Sequence, residues 1–170
     1  MKIHIANEKD INSMVELDKK CFGTYGSDAG YFLKKLNSPS GNILVAYDDK
    51  GEMVGFSVFE ILDKETIPND FCDLKIKSPI KGKWVHMVAF TTLSKYLNRK
   101  KDSELLIKSE QFAKAKGCVE SYVPLSKYHP FKKNKVFEFW EENGYRNCGE
   151  IKWMAKSDEF IECFFYRKVL

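Results

Sequence analysis

The stretch YLNRKKDSELL, Tyr96 to Leu106, sets Asn98, Arg99, Lys100 and Lys101 between an apolar run and the start of a helical pattern. A helix that opens there points several backbone N–H groups outward, and its dipole adds to their pull on an anion. Three cationic side chains at such a spot suit a phosphate or diphosphate. A second basic group, Lys127, His129, Lys132, Lys133 and Lys135, precedes the last helical segment. Each cluster reads equally as a solvated turn. Candidates for proton transfer are fewer. Alternation along WVHMVAFT puts His86 on one face with Trp84, Val88 and Phe90, and an imidazole is suited to relaying a proton near neutral pH. The same residue can instead be a hydrogen-bonded structural histidine. Glu60 shares a strand face with Val54, Phe56 and Val58 and is the second candidate base, or else a surface carboxylate at a strand end.

Other chemistries find less support. The five cysteines, Cys21, Cys72, Cys118, Cys148 and Cys163, include no C-x-x-C pair, and the three histidines offer no ligand cluster, so no metal is expected. KYHPFKKNK interleaves aromatics with lysines, but a net charge of +4 is small and no recognition motif accompanies it, so no nucleic-acid partner is expected. No apolar run approaches the roughly 20 residues of a membrane span. The start MKIHIANEKD turns polar before a signal-peptide core could form, which points to the cytoplasm. With 170 residues, 44% hydrophobic and 31% charged, the chain is expected to form one domain, residues 1–170.

The elements that position these residues follow from periodicity and punctuation. KIHIA reads as a strand, and Asn7 can cap a helix with Asp10 in its first turn. Ile11, Met14, Val15, Cys21 and Phe22 define that helix's buried face, and a shorter helix spans about Ser27 to Leu36. NILVAY and EMVGFSVFEIL, joined by DDKG, form a hairpin. Residues 63–83, with Pro68 and Pro79, read as a long connection with no clear element. WVHMVAFT is a strand, SELLIKSEQFAKAKG a helix stopped at Gly117, and CVESYVPL a strand, which together make a βαβ unit. NKVFEFWEEN is a helix stopped at Gly144, and RNCGEIKWMA with FIECFFYRKVL closes the chain as an antiparallel pair.

This order, with three landmarks in it, resembles the GNAT superfamily of N-acetyltransferases over essentially the whole chain. HMVAF resembles the family's L-x-x-L-A-V strand, SELLIKSEQFAKAKGCVES the helix and strand that follow its acyl-CoA loop, and VFEFWEENGYRNCGEI its A-x-x-F-Y-E-K-x-G-F helix and next strand. The resemblance implies an α/β (α+β) fold: a mixed central sheet of six to seven strands, splayed between the fourth and fifth, WVHMVAFT and CVESYVPL, and flanked by about four helices. It implies acetyl-CoA as acyl donor in the splay, its pantetheine paired with the backbone of Val88, Ala89 and Phe90. The family loop Q/R-x-x-G-x-G/A is not reproduced: Leu97, Lys100 and Asp102 stand where Arg, Gly and Gly or Ala are expected. Two readings stay open. In one, Asp102 or Ser103 caps the helix while Asn98, Arg99, Lys100 and Lys101 hold the phosphates. In the other, the turn is solvated and the domain is a non-catalytic binding or regulatory module.

For chemistry, the resemblance implies direct attack of an amine on the thioester, with a backbone N–H near Val88 to Phe90 facing the oxyanion and His86 or Glu60 as base. Trp140 stands where the family carries its acidic tyrosine, so either coenzyme A leaves as a thiolate or Tyr128 (with Tyr122 next) protonates it. Trp140 and Phe137 would then wall the pantetheine channel, or be helix core, and Asn134 is a candidate pantetheine contact. The acceptor is a small-molecule or peptide amine, in a pocket of the first two helices and residues 63–83. Many relatives pair, so a homodimer is compatible with the fold.

Overall fold

Side-chain capping sets the N-terminal third of the computed structural model, which describes residues 1–93, 101–128, 136–156 and 159–170. Strand β1 (Lys2–Ile5) runs to Asn7, whose side chain accepts the Lys9 N–H while Asp10 accepts the Asn7 N–H at 2.9 Å. This capping box opens a 3-10 turn, Glu8–Asp10, and then α1 (Ile11–Phe22). Helix α2 (Ala29–Leu36) starts where the Asp28 carboxylate accepts the Tyr31 N–H at 2.8 Å. The hairpin of β2 (Gly41–Tyr47) and β3 (Met53–Leu62) turns on Asp48, which accepts the N–H groups of Lys50 and Glu52.

The remaining elements are β4 (Phe71–Ile76), β5 (Trp84–Thr92), α3 (Lys101–Ala115), β6 (Glu120–Ser126), α4 (Val136–Glu142), β7 (Arg146–Lys156) and β8 (Glu159–Val169). Gly117, at φ +89, lets the chain reverse after α3, and the Cys118 N–H closes back on the Ala113 carbonyl at 3.1 Å. The strands form one mixed sheet in the order β1-β2-β3-β5-β6-β8-β7-β4, in which β5 and β6 are parallel and β7 and β8 antiparallel. The sheet therefore has eight strands, one more than the upper expectation. The addition is β4, inside the connection that gave no pattern. Its ladder with β7 shifts register between Cys72 and Lys75, and Asp73 sits at φ +50, which breaks the alternation a sequence reading needs. The two strands approach so closely that a Cβ on Gly149 would meet the Lys75 carbonyl oxygen at 1.9 Å.

The chain forms two compact units: Met1–Ile61 with Met87–Phe112, and Leu62–His86 with Ala113–Leu170. The first packs α1 and α2 on one face of β2, β3 and the second half of β5. Phe32, Met14, Phe56 and Val58 are fully buried there, and the Phe32 and Phe56 rings meet edge to face at 5.3 Å. In the second unit, Trp84, Tyr122, Phe165, Ile151 and Cys163 form the core. Three strands separate β4 from β5 in the order, yet Phe71 lies 4.7 Å from His86 and 6.4 Å from Trp84. This end of the sheet thus coils strongly around its own side chains.

Two phenols fix a pH dependence. Burial first, then the Asp10 carboxylate that accepts its hydroxyl at 2.7 Å, pushes Tyr47 up to about 12. Burial and Glu141, at 3.0 Å, do the same to Tyr166, also to about 12. Raised folded values mean that both phenols contribute stability in full below their unfolded value of about 10 and lose it as pH rises further. Urea midpoints are expected to be lower at about pH 11.5 than at about pH 8, with the phenols' share of the loss setting in above about pH 10. Tyr166→Phe should shrink that fall; a variant whose alkaline loss equals the wild type's contradicts the assignment.

Candidate functional site

Strand β5 changes partners along its length. Its parallel ladder with β6 covers three pairs, Trp84 with Glu120, Val85 with Ser121 and His86 with Tyr122, and stops there. β6 continues in register with β8 to Ser126, and β5 runs on to Thr92. Beyond the ladder, Val88 packs into the first unit's core at 7% exposure, while Ala89 and Phe90 become half-buried. A strand that has left one neighbour can take an extended ligand amide as a substitute. The end of β5 is held from both sides: the Thr91 hydroxyl donates to Asp18 at 3.1 Å, and the Leu93 N–H donates to the Val54 carbonyl at 3.0 Å.

In the second unit the first rung of that ladder, Trp84 with Glu120, carries a buried carboxylate. Glu120, 1% exposed, pairs with the Arg167 guanidinium through one oxygen. Its other oxygen accepts the Tyr122 hydroxyl and the Lys81 N–H, both at 3.0 Å. Burial, then the Glu120 charge, pushes the Tyr122 phenol far above its ordinary range. His86 is 0% exposed, with the Phe71 ring edge-on to it. β4 thus sets an aromatic ring against the imidazole that the sequence offers as a base.

Helix α4 buries Trp140 at 3% exposure, 4.8 Å from the Tyr145 ring, and Phe137 packs at 5.9 Å from Phe164. Tyr128 is 78% exposed. Lys127, one of the second basic group, spends its charge on Glu150 at 3.2 Å and Glu162 at 3.8 Å, over the Phe164 ring. Glu60 is bound by Lys35 at 2.7 Å, with both side chains largely buried. Burial also pushes thiols up, Cys148 to about 11 and Cys163 to about 12, so neither is a ready nucleophile.

No family model and no curated protein matches the sequence. Solved structures do. PaiA N-acetyltransferase from Thermoplasma acidophilum, in complex with coenzyme A, superposes with a TM-score of 0.67 at 16% identity, covering 100% of both chains. Naa20 from Chaetomium thermophilum, in complex with a bisubstrate analogue, gives 0.72 at 15% identity over 100% of this chain and 87% of that one. An acetyltransferase of GNAT family from Streptococcus pneumoniae gives 0.64 at 17% identity, with 99% of each covered. The chain has the GNAT fold.

Within the GNAT fold, the sequence-named residues fall into three groups. Val88, Ala89 and Phe90 lie on β5 just past the end of its ladder with β6. His86, Glu60, Tyr128, Phe137 and Trp140 have the surroundings given above. Asn98, Arg99, Lys100 and Asn134, and the side chains of Lys101 and Ser103, lie outside the described residues. Sequence reasoning missed Asp18 and Thr91. The signal for Asp18 was present: it follows Met14 by four residues on the face that also bears Ile11 and Cys21.

Proposed function

We propose that this chain is an acetyl-CoA-dependent N-acetyltransferase acting on a small-molecule or peptide amine. The observation that supports the reading is the short ladder: β5 parts from β6 after His86 and goes on for six more residues, to Thr92. Coenzyme A and a bisubstrate analogue in structures of the same fold support it further. The amine's lone pair attacks the thioester carbonyl, the C–N bond forms, the C–S bond breaks, and sulfur leaves with its electron pair. Backbone N–H groups of Val88 to Phe90 face the developing oxyanion. Asn98, Arg99, Lys100, Lys101 and Ser103 hold the phosphates, and Asn134, Phe137 and Trp140 meet the pantetheine. Glu60, positioned by Lys35, takes the ammonium proton through water; the enclosed His86 supports the sheet instead. Tyr128 presents an exposed hydroxyl to the departing thiolate.

A ligand at about 100 times its dissociation constant adds roughly 2.7 kcal/mol, so saturating coenzyme A should raise the melting temperature by about 5 to 10 °C. An amine screen read out by thiol release then tests turnover, and Glu60→Gln should lower the rate while keeping the thermal shift. The loop residues Leu97, Lys100 and Asp102, with Trp140, favour a second reading: a module that no longer catalyses. A thermal shift without thiol release for any amine selects that reading; no shift with acetyl-CoA or free coenzyme A removes the enzyme.

A further inference from the structure

Asp18 lies in α1 among inward-facing Ile11, Met14 and Leu17, with 5% exposure. A carboxylate in such a place is costly to desolvate unless it is hydrogen-bonded, and a leucine would meet a packing role better. Its two oxygens serve two different elements. Oδ1 accepts the Thr91 hydroxyl of β5 at 3.1 Å, and Oδ2 accepts the Ser27 N–H, in the connection between α1 and α2, at 2.7 Å. One turn further along the same helix, the Cys21 thiol donates to the Thr92 carbonyl at 3.6 Å. On β3, Gly55 leaves room for this end of β5: a Cβ there would lie 3.0 Å from Thr92 Cγ2 and 3.1 Å from the Thr91 carbonyl oxygen. The connection itself is pressed against α1, since a Cβ on Gly26 would stand 2.9 Å from Lys19 Cα.

Thr91 follows directly on Val88 to Phe90, the stretch free of the β6 ladder. A strand's side-chain period is two, so a slip of one residue would turn every side chain over and offset each backbone group. We propose that Asp18 is a positioning residue: it locks the end of β5 in register to receive an acyl carrier and ties that strand to the α1–α2 connection through one carboxylate. This rests on the acetyl-CoA reading above. Carrier binding then stiffens residues 23–27 as well as β5.

The test is the dissociation constant for free coenzyme A, by calorimetry, in wild type, Thr91→Val and Thr91→Ser. Thr91→Val keeps the volume and removes the donor, and should weaken binding about tenfold, while Thr91→Ser stays within about twofold of wild type. Ile151→Val, a core change in the other unit, serves as control: it should lower the melting temperature with the dissociation constant unmoved. Amide exchange at residues 23–27 should slow on adding coenzyme A in wild type and not in Thr91→Val. If Thr91→Val does not fold, Asp18→Asn, which keeps the shape and one acceptor oxygen, takes its place. Equal affinity in wild type and Thr91→Val overturns the inference alone. Absence of coenzyme A binding by the wild type overturns the acetyl-CoA reading, and this inference with it.

Discussion

Glu120→Ala is expected to destabilise the protein by about 3 to 5 kcal/mol, because removing one member of a buried ion pair leaves the other charge uncompensated. Glu120 is 1% exposed against an Arg167 side chain that is 21% exposed, and the Glu120 oxygens serve Arg167, Tyr122 and the Lys81 N–H together. For a chain of this length the loss should lower the melting temperature by on the order of 10 °C. Glu162→Ala removes a carboxylate 3.8 Å from Lys127 whose side chain is 53% exposed, and such pairs contribute about 0 to 1 kcal/mol. Glu120→Gln retains one acceptor oxygen and should fall between. Chemical denaturation of the three variants decides the matter; equal losses for Glu120→Ala and Glu162→Ala would refute a buried charge centre.

The same centre shows where sequence reading ends. Glu120, Tyr122 and Arg167 lie on strands the sequence located, yet nothing local says that a glutamate on β6 and an arginine on β8 meet. Their pairing is a matter of register between segments 47 residues apart. By contrast, α1, α2 and the β2–β3 hairpin were legible because their signals are local: Asn7 and Asp28 cap within three residues, and Asp48 turns the chain within four. β4 was illegible for a related reason. Its bulge and the positive φ of Asp73 erase the two-residue period, and only long-range pairing with β7 makes it a strand.

His86 combines the two cases. Alternation placed it correctly on the face of Trp84, whose ring is 6.2 Å away. Accessibility, however, depends on what covers a face, and here the cover is Phe71 from the strand that left no pattern. The site's polar chemistry divides along the same line. The β5 stretch Val88 to Phe90 follows from strand order, and order is the most readable property of the chain. Asp18 shows helical spacing but not its partners, because Thr91 and the Ser27 N–H reach it from 73 and 9 residues away.

Lys100→Glu combined with Lys101→Glu is expected to weaken coenzyme A binding at least a hundredfold. The reasoning starts from what the loop lacks. A glycine-rich turn holds a diphosphate with main-chain N–H groups that approach closely because no Cβ intervenes. With Leu97, Lys100 and Asp102 at the corresponding places, a diphosphate must be held by side-chain charge instead. A hydrogen bond to a charged group contributes about 1.5 to 3 kcal/mol, so losing two removes at least about 3 kcal/mol, a factor above 100. The two new carboxylates add repulsion beside Asp102. Exposed charges are screened over about 8 Å at physiological salt, so wild-type affinity should fall as salt rises, and the double variant should lose most of that dependence. Dephospho-coenzyme A separates the contributions: an affinity loss on removing the 3′-phosphate that is the same in both proteins assigns the lysines to the diphosphate. A solvated turn predicts none of this. If the double variant binds coenzyme A as the wild type does, with the same salt slope, the basic run beside α3 holds no phosphate and the second reading, a domain without turnover, gains the loop as its support.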